Sequence, residues 1–318
     1  MTAQLTGAPA RTDERQTTDT LFVSVIVPVY NDPEGVRVTL ESLTEQTYGN
    51  YEIIVVDNRS TDDTRDVAAE FADRFDTVTV LDERREQSSY AARVRGIRYA
   101  SGDVFAFIDA DMTVERNWLD AAIERMDDDG LDYMACNVQL YTPGEESLVG
   151  KYNRLNGFPI DRYISTFHFA PTCCLFVRRE VIETVGPFDT RFVSSGDREF
   201  GHRVHAAGFD LGYAEDVPMY HPTRTTLSAL VKKAVRIGRG KQQLRQYYPE
   251  RYGNPALIVF YPGLYSPTPP GRLGDVFRGW DRLDTSEKVA FYFLTYGLKL
   301  TNAYGTVRET VERFLGLD

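Results

Sequence analysis

The sequence predicts an α/β protein built on a doubly wound, mostly parallel sheet with flanking helices and a C-terminal helical region. Three observations carry that expectation. Residues 22–29 are a near-continuous apolar, β-branched run, and further short apolar runs alternate with helical patterns of about 10–15 residues. Polar residues close each of the first runs. An apolar run without alternation reads as a strand buried on both faces, as strands inside a parallel sheet are.

Taken in order, Phe22 to Val29 is the first strand. Asp32-Pro33-Glu34 opens a helix, with Pro33 in the first turn and apolar positions at Val36, Leu40 and Leu43. The second strand, Tyr51 to Val56, ends at Asp57, and Ser60 or Thr61 is expected to cap a helix running towards Phe75. Val78 to Leu81 reads as a third strand, Ser89 to Ala100 as a helix and Val104 to Ile108 as a fourth strand. Further on, Tyr133 to Leu140 and Cys174 to Val177 read as strands. Trp118 to Met126, Arg179 to Val185 and Asp197 to Ala207 read as helices. The polar residues 1–20 suggest a disordered leader, 21–222 the main domain and 223–318 a basic and apolar C-terminal region.

Of 318 residues, 36 are basic and 47 acidic, giving a net charge of -11. That balance argues against nucleic acid as a partner of the whole molecule. Only Lys151, Lys232, Lys233, Lys241, Lys288 and Lys299 are lysines. An acidic, lysine-poor surface suits a high-salt cytoplasm, such as that of a halophilic archaeon, with plain acidity as the alternative. Cys136, Cys173 and Cys174 are odd in number, two are adjacent, and no C-x-x-C spacing occurs, so they read as reduced and buried. No stretch reaches the ~20 apolar residues that span a bilayer, and the N-terminus has no apolar signal core. The expectation is a cytoplasmic protein, peripheral at the cytoplasmic face of the cell membrane.

In a doubly wound sheet, ligands bind beyond the carboxyl ends of the strands. Those ends read Pro28-Val29-Tyr30-Asn31, Asp57-Asn58-Arg59-Ser60-Thr61-Asp62 and Asp109-Ala110-Asp111, and the third helix carries Ala91-Ala92-Arg93-Val94-Arg95-Gly96. In order and spacing these four segments resemble the GT-A glycosyltransferases of family 2, over about Phe22 to His221. The resemblance implies a GT-A fold, a nucleoside diphosphate sugar donor (most often a UDP-sugar), inverting transfer and a divalent cation, Mn²⁺ or Mg²⁺. It places Pro28, Tyr30, Asn31, Asp57, Ser60, Arg93, Asp109 and Ala110 at the donor and Asp111 at the cation. The physical chemistry agrees. Asp57 can accept a base N–H, and strand alternation would put Asp109 and Asp111 on one side, where carboxylates can hold the ribose and a cation on the diphosphate. Capping a helix N-terminus is the competing role for such rim carboxylates.

Gly186-Pro187-Phe188-Asp189 and the stretch Phe192 to Phe200 resemble the family's G-x-F-D segment followed by E-D-x-D. Gly196 replaces the usual Glu, Asp197 takes the catalytic-base position, and Glu199 takes the last acidic place as fallback base; a helix cap is the alternative for Asp197. His221 matches a histidine that completes the metal shell in many relatives, although a lone histidine is more often structural. Lys232, Lys233, Arg236, Arg239, Lys241 and Arg245 form a run without an acidic residue. It is either a solvated helix face or a site for diphosphate, a phospholipid surface or a lipid-linked phosphate. Arg236-Ile237-Gly238-Arg239-Gly240 resembles the R-x-G-R-G segment of some relatives, which implies that Arg236 and Arg239 face the donor diphosphate.

Ala256 to Tyr265 and Val289 to Leu300 are apolar and aromatic, suited to core packing or to a membrane interface. The acceptor expected is a hydroxyl on a lipid-linked saccharide or related glycan, in protein N-glycan or cell-surface polysaccharide assembly, with polyprenyl phosphate as the alternative. A dinucleotide oxidoreductase is excluded, because no G-x-G-x-x-G follows the first strand. The haloacid dehalogenase pattern D-x-D-x-T is present at Asp109 to Thr113. There it follows three strand–helix units instead of opening the fold, and Gly201 stands where that family's later Asp belongs. A sugar- or lipid-binding module without catalysis would not need the intact carboxylates.

Overall fold

The computed structural model describes residues 20–316, so the expected leader lies, but for its last residue, outside the described residues. The strands are β1 (Val23–Val29), β2 (Tyr51–Asp57), β3 (Val78–Asp82), β4 (Val104–Ile108), β5 (Thr113–Val114), β6 (Tyr133–Tyr141), β7 (Cys174–Arg178) and β8 (Leu211–Pro222). The helices of the first part are α1 (Pro33–Leu43), α2 (Thr64–Ala72), α3 (Ser89–Tyr99), α4 (Trp118–Asp128), α5 (Leu148–Asn156) and α6 (Ile160–Phe167). The remainder are α7 (Arg179–Val185), α8 (Gly196–Ala206), α9 (Leu227–Tyr247), α10 (Pro249–Tyr252) and α11 (Thr285–Phe314).

One eight-stranded sheet runs β3-β2-β1-β4-β7-β6-β8-β5. Neighbours among β1 to β4 are parallel, as are β6 and β8; β7 is antiparallel to both its neighbours and β5 to β8. The mostly parallel α/β architecture with a C-terminal helical region therefore stands. After β1 the chain builds outwards through β2 and β3, then returns to add β4 on the other side. The tips of β1 and β4 are thus the switch point at which such sheets bind ligands.

Three local expectations are corrected. α2 starts at Thr64, and neither Ser60 nor Thr61 caps it; Asp62 accepts from the Thr64 N–H (3.1 Å) and hydroxyl (2.5 Å) instead. β4 ends at Ile108, so Asp109 and Asp111 lie in a turn and strand alternation does not set their directions. The strand β8 has no counterpart in the sequence reading. Between Ala214, opposite Cys136, and Pro218, opposite Asn137, three residues bulge out and break the period of two that marks a strand.

The apolar residues of the sheet and its helices form the main core. A smaller core joins Tyr152 of α5 to Leu230, Leu273, Phe277, Leu283 and Phe291. α9 and α11 lie close enough that a Cβ on Gly238 would meet the Asn302 carbonyl at 2.0 Å, and one on Gly305 the Val235 carbonyl at 2.3 Å. No helix among the described residues is long and apolar enough to cross a membrane.

Candidate active site

The rim beyond β1 and β2 is built by backbone–side-chain exchanges between the two strand ends. Asn31, at a positive φ of 50°, donates its N–H to Ser60 Oγ (3.0 Å) and accepts the Thr61 N–H (2.8 Å). Asn31 and Ser60 therefore brace the two turns against each other. Asp57 accepts the Ser60 N–H through one oxygen, while Oδ1 is buried without a hydrogen-bond partner among the described residues. A buried acceptor left open is costly unless a ligand donor satisfies it. Tyr30 stands half exposed just past the end of β1, and Pro28 lies opposite Val56 in the strand below.

The Asp109–Asp111 turn is seated on α1. Thr39 donates to the Met112 carbonyl (2.7 Å), and Gly35 has no Cβ to block the Ala110 carbonyl, which would lie 2.2 Å from one. Within the turn the two carboxylates diverge. Asp109 pairs with the buried Arg93 of α3 (2.5 Å), and Asp111 faces His221 Nε2 (3.8 Å). β8 makes the second pairing: Thr113 and Val114 ladder with Tyr220 and Met219, which carries His221 to the turn. The His221 Nδ1 is 2.8 Å from the Pro222 carbonyl. If Nδ1–H donates there, Nε2 is left with its lone pair towards Asp111, the arrangement usual behind a metal-ligating imidazole. Burial raises the Asp111 pKa above the ordinary carboxylate value, opposed by His221 and Arg224 and aided by Asp109 and Asp32.

Across the turn, Asp197 lies in the first turn of α8, partly open to solvent. Its Oδ1 accepts the Arg198 N–H (2.9 Å), and its own N–H and that of Gly196 donate to Tyr90 Oη (3.3 and 3.0 Å). Tyr90 also accounts for the glycine at 196: its ring would sit 2.9 Å from a Cβ there, so it fills the space a larger residue would need. Desolvation raises the Asp197 pKa, while the Arg198 N–H, Arg93 and Arg236 pull it down. Arg93 thus stands between Asp109 and Asp197 and joins the two halves of the site.

Two expected site residues are directed elsewhere. Glu199 is 1% exposed and takes a bidentate pair from Arg203 (2.8 and 2.9 Å), which also donates to the Gly186 and Pro187 carbonyls. That clamp ties α8 to the preceding turn and leaves no free base. Arg239 pairs with Glu309 (2.7 Å) and Glu312 (3.0 Å) of α11, although at i+3 from Arg236 it shares much of that residue's helix face. Arg236 remains beside Asp197. Lys233 and Arg224 add charge to the same wall: burial first, then Arg224 and Arg236, push Lys233 down to about 8, and Arg224 is lowered by burial and Arg236. Tyr90 is a residue that the motif reading missed; it joins α3 to the start of α8, and only packing identifies it.

The model of glycosyl transferase family 2 matches residues 24–186. The chain is 38% identical to the glycosyltransferase AglE of Haloferax volcanii over 225 residues, 70% of this chain and 74% of that protein. It is 32% identical to the UDP-Glc:alpha-D-GlcNAc-diphosphoundecaprenol beta-1,3-glucosyltransferase WfgD of Escherichia coli over 134 residues, 42% of this chain and 51% of that one. Among solved structures, the mannosyltransferase PcManGT from Pyrobaculum calidifontis, in complex with GDP-Man and Mn²⁺, superposes with a TM-score of 0.63 at 19% identity, covering 92% of this chain and 88% of that one. S. aureus TarS 1–349 in complex with UDP-GlcNAc gives a TM-score of 0.53 at 18% identity, covering 92% of each chain. These structural likenesses are ones of fold, the GT-A fold. By the family model and the relative from Haloferax volcanii, the chain belongs to glycosyl transferase family 2.

Proposed function

We propose that this glycosyltransferase moves a sugar from a nucleoside diphosphate sugar, a UDP-sugar in the first instance, to a hydroxyl of a lipid-linked saccharide or related glycan. The transfer inverts the anomeric carbon and uses a divalent cation, Mn²⁺ or Mg²⁺, at the cytoplasmic face of a membrane. The observation that carries the reading is Asp197. It is a half-buried carboxylate in the first turn of α8, within the electrostatic reach of Arg236 and of the Arg93 that pairs with Asp109. A carboxylate with a raised pKa is well matched to take the acceptor hydroxyl's proton as that oxygen bonds to the anomeric carbon and the bond to the diphosphate breaks. Single in-line displacement inverts the centre.

Asp111 and His221 would hold the cation. Among the described residues no group of three or more His, Cys, Asp or Glu forms a complete protein shell. Two protein donors suit an ion whose remaining ligands are diphosphate oxygens and water. Bound there, a cation supplies Lewis-acid stabilisation of the departing diphosphate. Lys233, Arg236 and Arg224 line the same wall with positive charge. The unsatisfied Asp57 Oδ1 suits a base N–H. The name of WfgD, a relative acting from UDP-Glc on a diphosphoundecaprenol-linked sugar, favours the saccharide acceptor and the membrane location. Leu257 (67% exposed), Phe260 (80%) and Tyr261 (60%) offer an apolar contact for that surface.

A screen of UDP- and GDP-sugars by thermal shift and metal-dependent turnover tests the reading. Asp197→Asn is expected to keep donor binding and lose transfer. Turnover that survives Asp197→Asn would move the acceptor to polyprenyl phosphate, a nucleophile already ionised.

A further inference from the structure

A second cationic hollow adjoins the candidate active site without entering it. Arg198, Lys241, Arg245, Arg251 and Tyr252 line a cavity of about 410 Å³, with Leu244 in its wall. None of these cations is given to a carboxylate among the described residues. Arg245 donates to the Lys241 carbonyl (2.9 Å), Arg198 Nε is buried without a partner, and the neighbouring Glu199 is committed to Arg203. Burial and the repulsion of Arg198 hold Lys241 and Arg245 below their ordinary pKa values. His202 is pushed down to about 4 by burial, with Arg198 and Arg251 opposing its charge, and stays neutral at the edge. Like charges gathered around a cavity repel until an anion enters.

The surroundings narrow the anion. Arg198 follows Asp197 on α8, so the cavity and the candidate base open from adjoining parts of that helix. On the other side, Gln242 of α9 donates to the Pro255 carbonyl (2.9 Å), and the chain runs directly into the segment bearing the exposed Leu257, Phe260 and Tyr261. A charged cavity bordered by apolar surface matches an amphiphile with an anionic head.

We propose that this cavity binds the phosphate or diphosphate head of a long-chain lipid and so holds a lipid-linked acceptor beside Asp197, with its hydrocarbon against residues 256–265. The inference rests on the glycosyl-transfer reading for its purpose, but its test measures binding alone.

The experiment is titration calorimetry of the full chain with farnesyl diphosphate and inorganic pyrophosphate in EDTA and with UDP in Mn²⁺, and sedimentation with phosphatidylglycerol vesicles. In Lys241→Gln/Arg245→Gln the affinity for farnesyl diphosphate is expected to fall about 10- to 100-fold, while UDP affinity and the Tm stay within error. Lys241→Arg/Arg245→Lys should restore it, and wild type should bind farnesyl diphosphate more tightly than pyrophosphate. Unchanged farnesyl diphosphate affinity in the double Gln variant overturns the proposal. So does an equal loss of UDP, which would make the cavity part of the donor site, or loss of vesicle binding alone, which would make it a membrane-charge surface. Failure of UDP to bind wild type counts against the donor reading and leaves the lipid result standing.

Discussion

Arg236 and Arg239 lie one turn apart on the same helix, yet one stays beside Asp197 and the other is locked to Glu309 and Glu312 of α11. The same division separates Asp197 from Glu199, two residues apart on α8: the first is turned to the cleft, the second is buried under Arg203. A short acidic or basic motif therefore does not act as a unit. On α8 helical rotation of about 100° per residue separates the two side chains. On α9 the two arginines share a face and, among the described residues, only Arg239 of the two pairs with Glu309 and Glu312 of α11.

The sharpest way to break this contrast is the pair on α8. Asp197→Asn should lower kcat by about 10²- to 10⁴-fold with donor affinity nearly unchanged. Glu199→Gln should instead leave Arg203 partly unpaired and lower stability by about 3 kcal/mol, with kcat per folded molecule retained. Calorimetric melting alongside steady-state kinetics separates the two, and a Glu199 variant that melts normally but does not turn over would reverse the assignment.

The next contrast is on α9. Arg236→Gln should reduce kcat/KM about 10- to 100-fold, the scale of a lost charge-assisted contact, without a shift in Tm. Arg239→Gln leaves Glu309, 4% exposed in its side chain, without its cation and should cost about 3 kcal/mol of stability while sparing kcat/KM. Equal kinetic losses in both variants would mean that the helix works through its overall charge.

A smaller effect distinguishes Lys233 from its permanently charged neighbours. Held at about 8 in the unliganded protein, it loses its proton as pH rises through that value, so diphosphate must bind together with a proton. UDP affinity should therefore weaken above pH 8, by at most about tenfold per unit. Lys233→Arg should flatten the profile. Gly196→Ala should cost about 1–3 kcal/mol of stability by overpacking against the Tyr90 ring, as chemical denaturation can measure.

The parallel half of the molecule was legible because its strands are continuous apolar runs and its motifs sit at their ends. β1, β4 and α7 fall within a residue of their expected limits. β8 was not legible, although it delivers His221, because its bulge interrupts the alternation and its pairing with β5 joins residues more than a hundred positions apart. The divergence of Asp109 and Asp111 was hidden for a related reason. The strand stops one residue before the motif, and their partners, Arg93 and His221, are brought in by tertiary contact. Tyr90 shows the same limit, since a ring that fills the place of a side chain is visible only once α3 and α8 are packed together.

The central claim is that Asp111 and His221 share one cation site with the donor diphosphate while Asp197 takes the acceptor's proton and has no part in donor binding. Calorimetric titration of UDP with and without Mn²⁺ tests it most directly. The account predicts that Mn²⁺ tightens UDP binding at least about tenfold in wild type and Asp197→Asn, and that the gain disappears in Asp111→Ala and His221→Ala. An equal Mn²⁺ gain in all four proteins would contradict it.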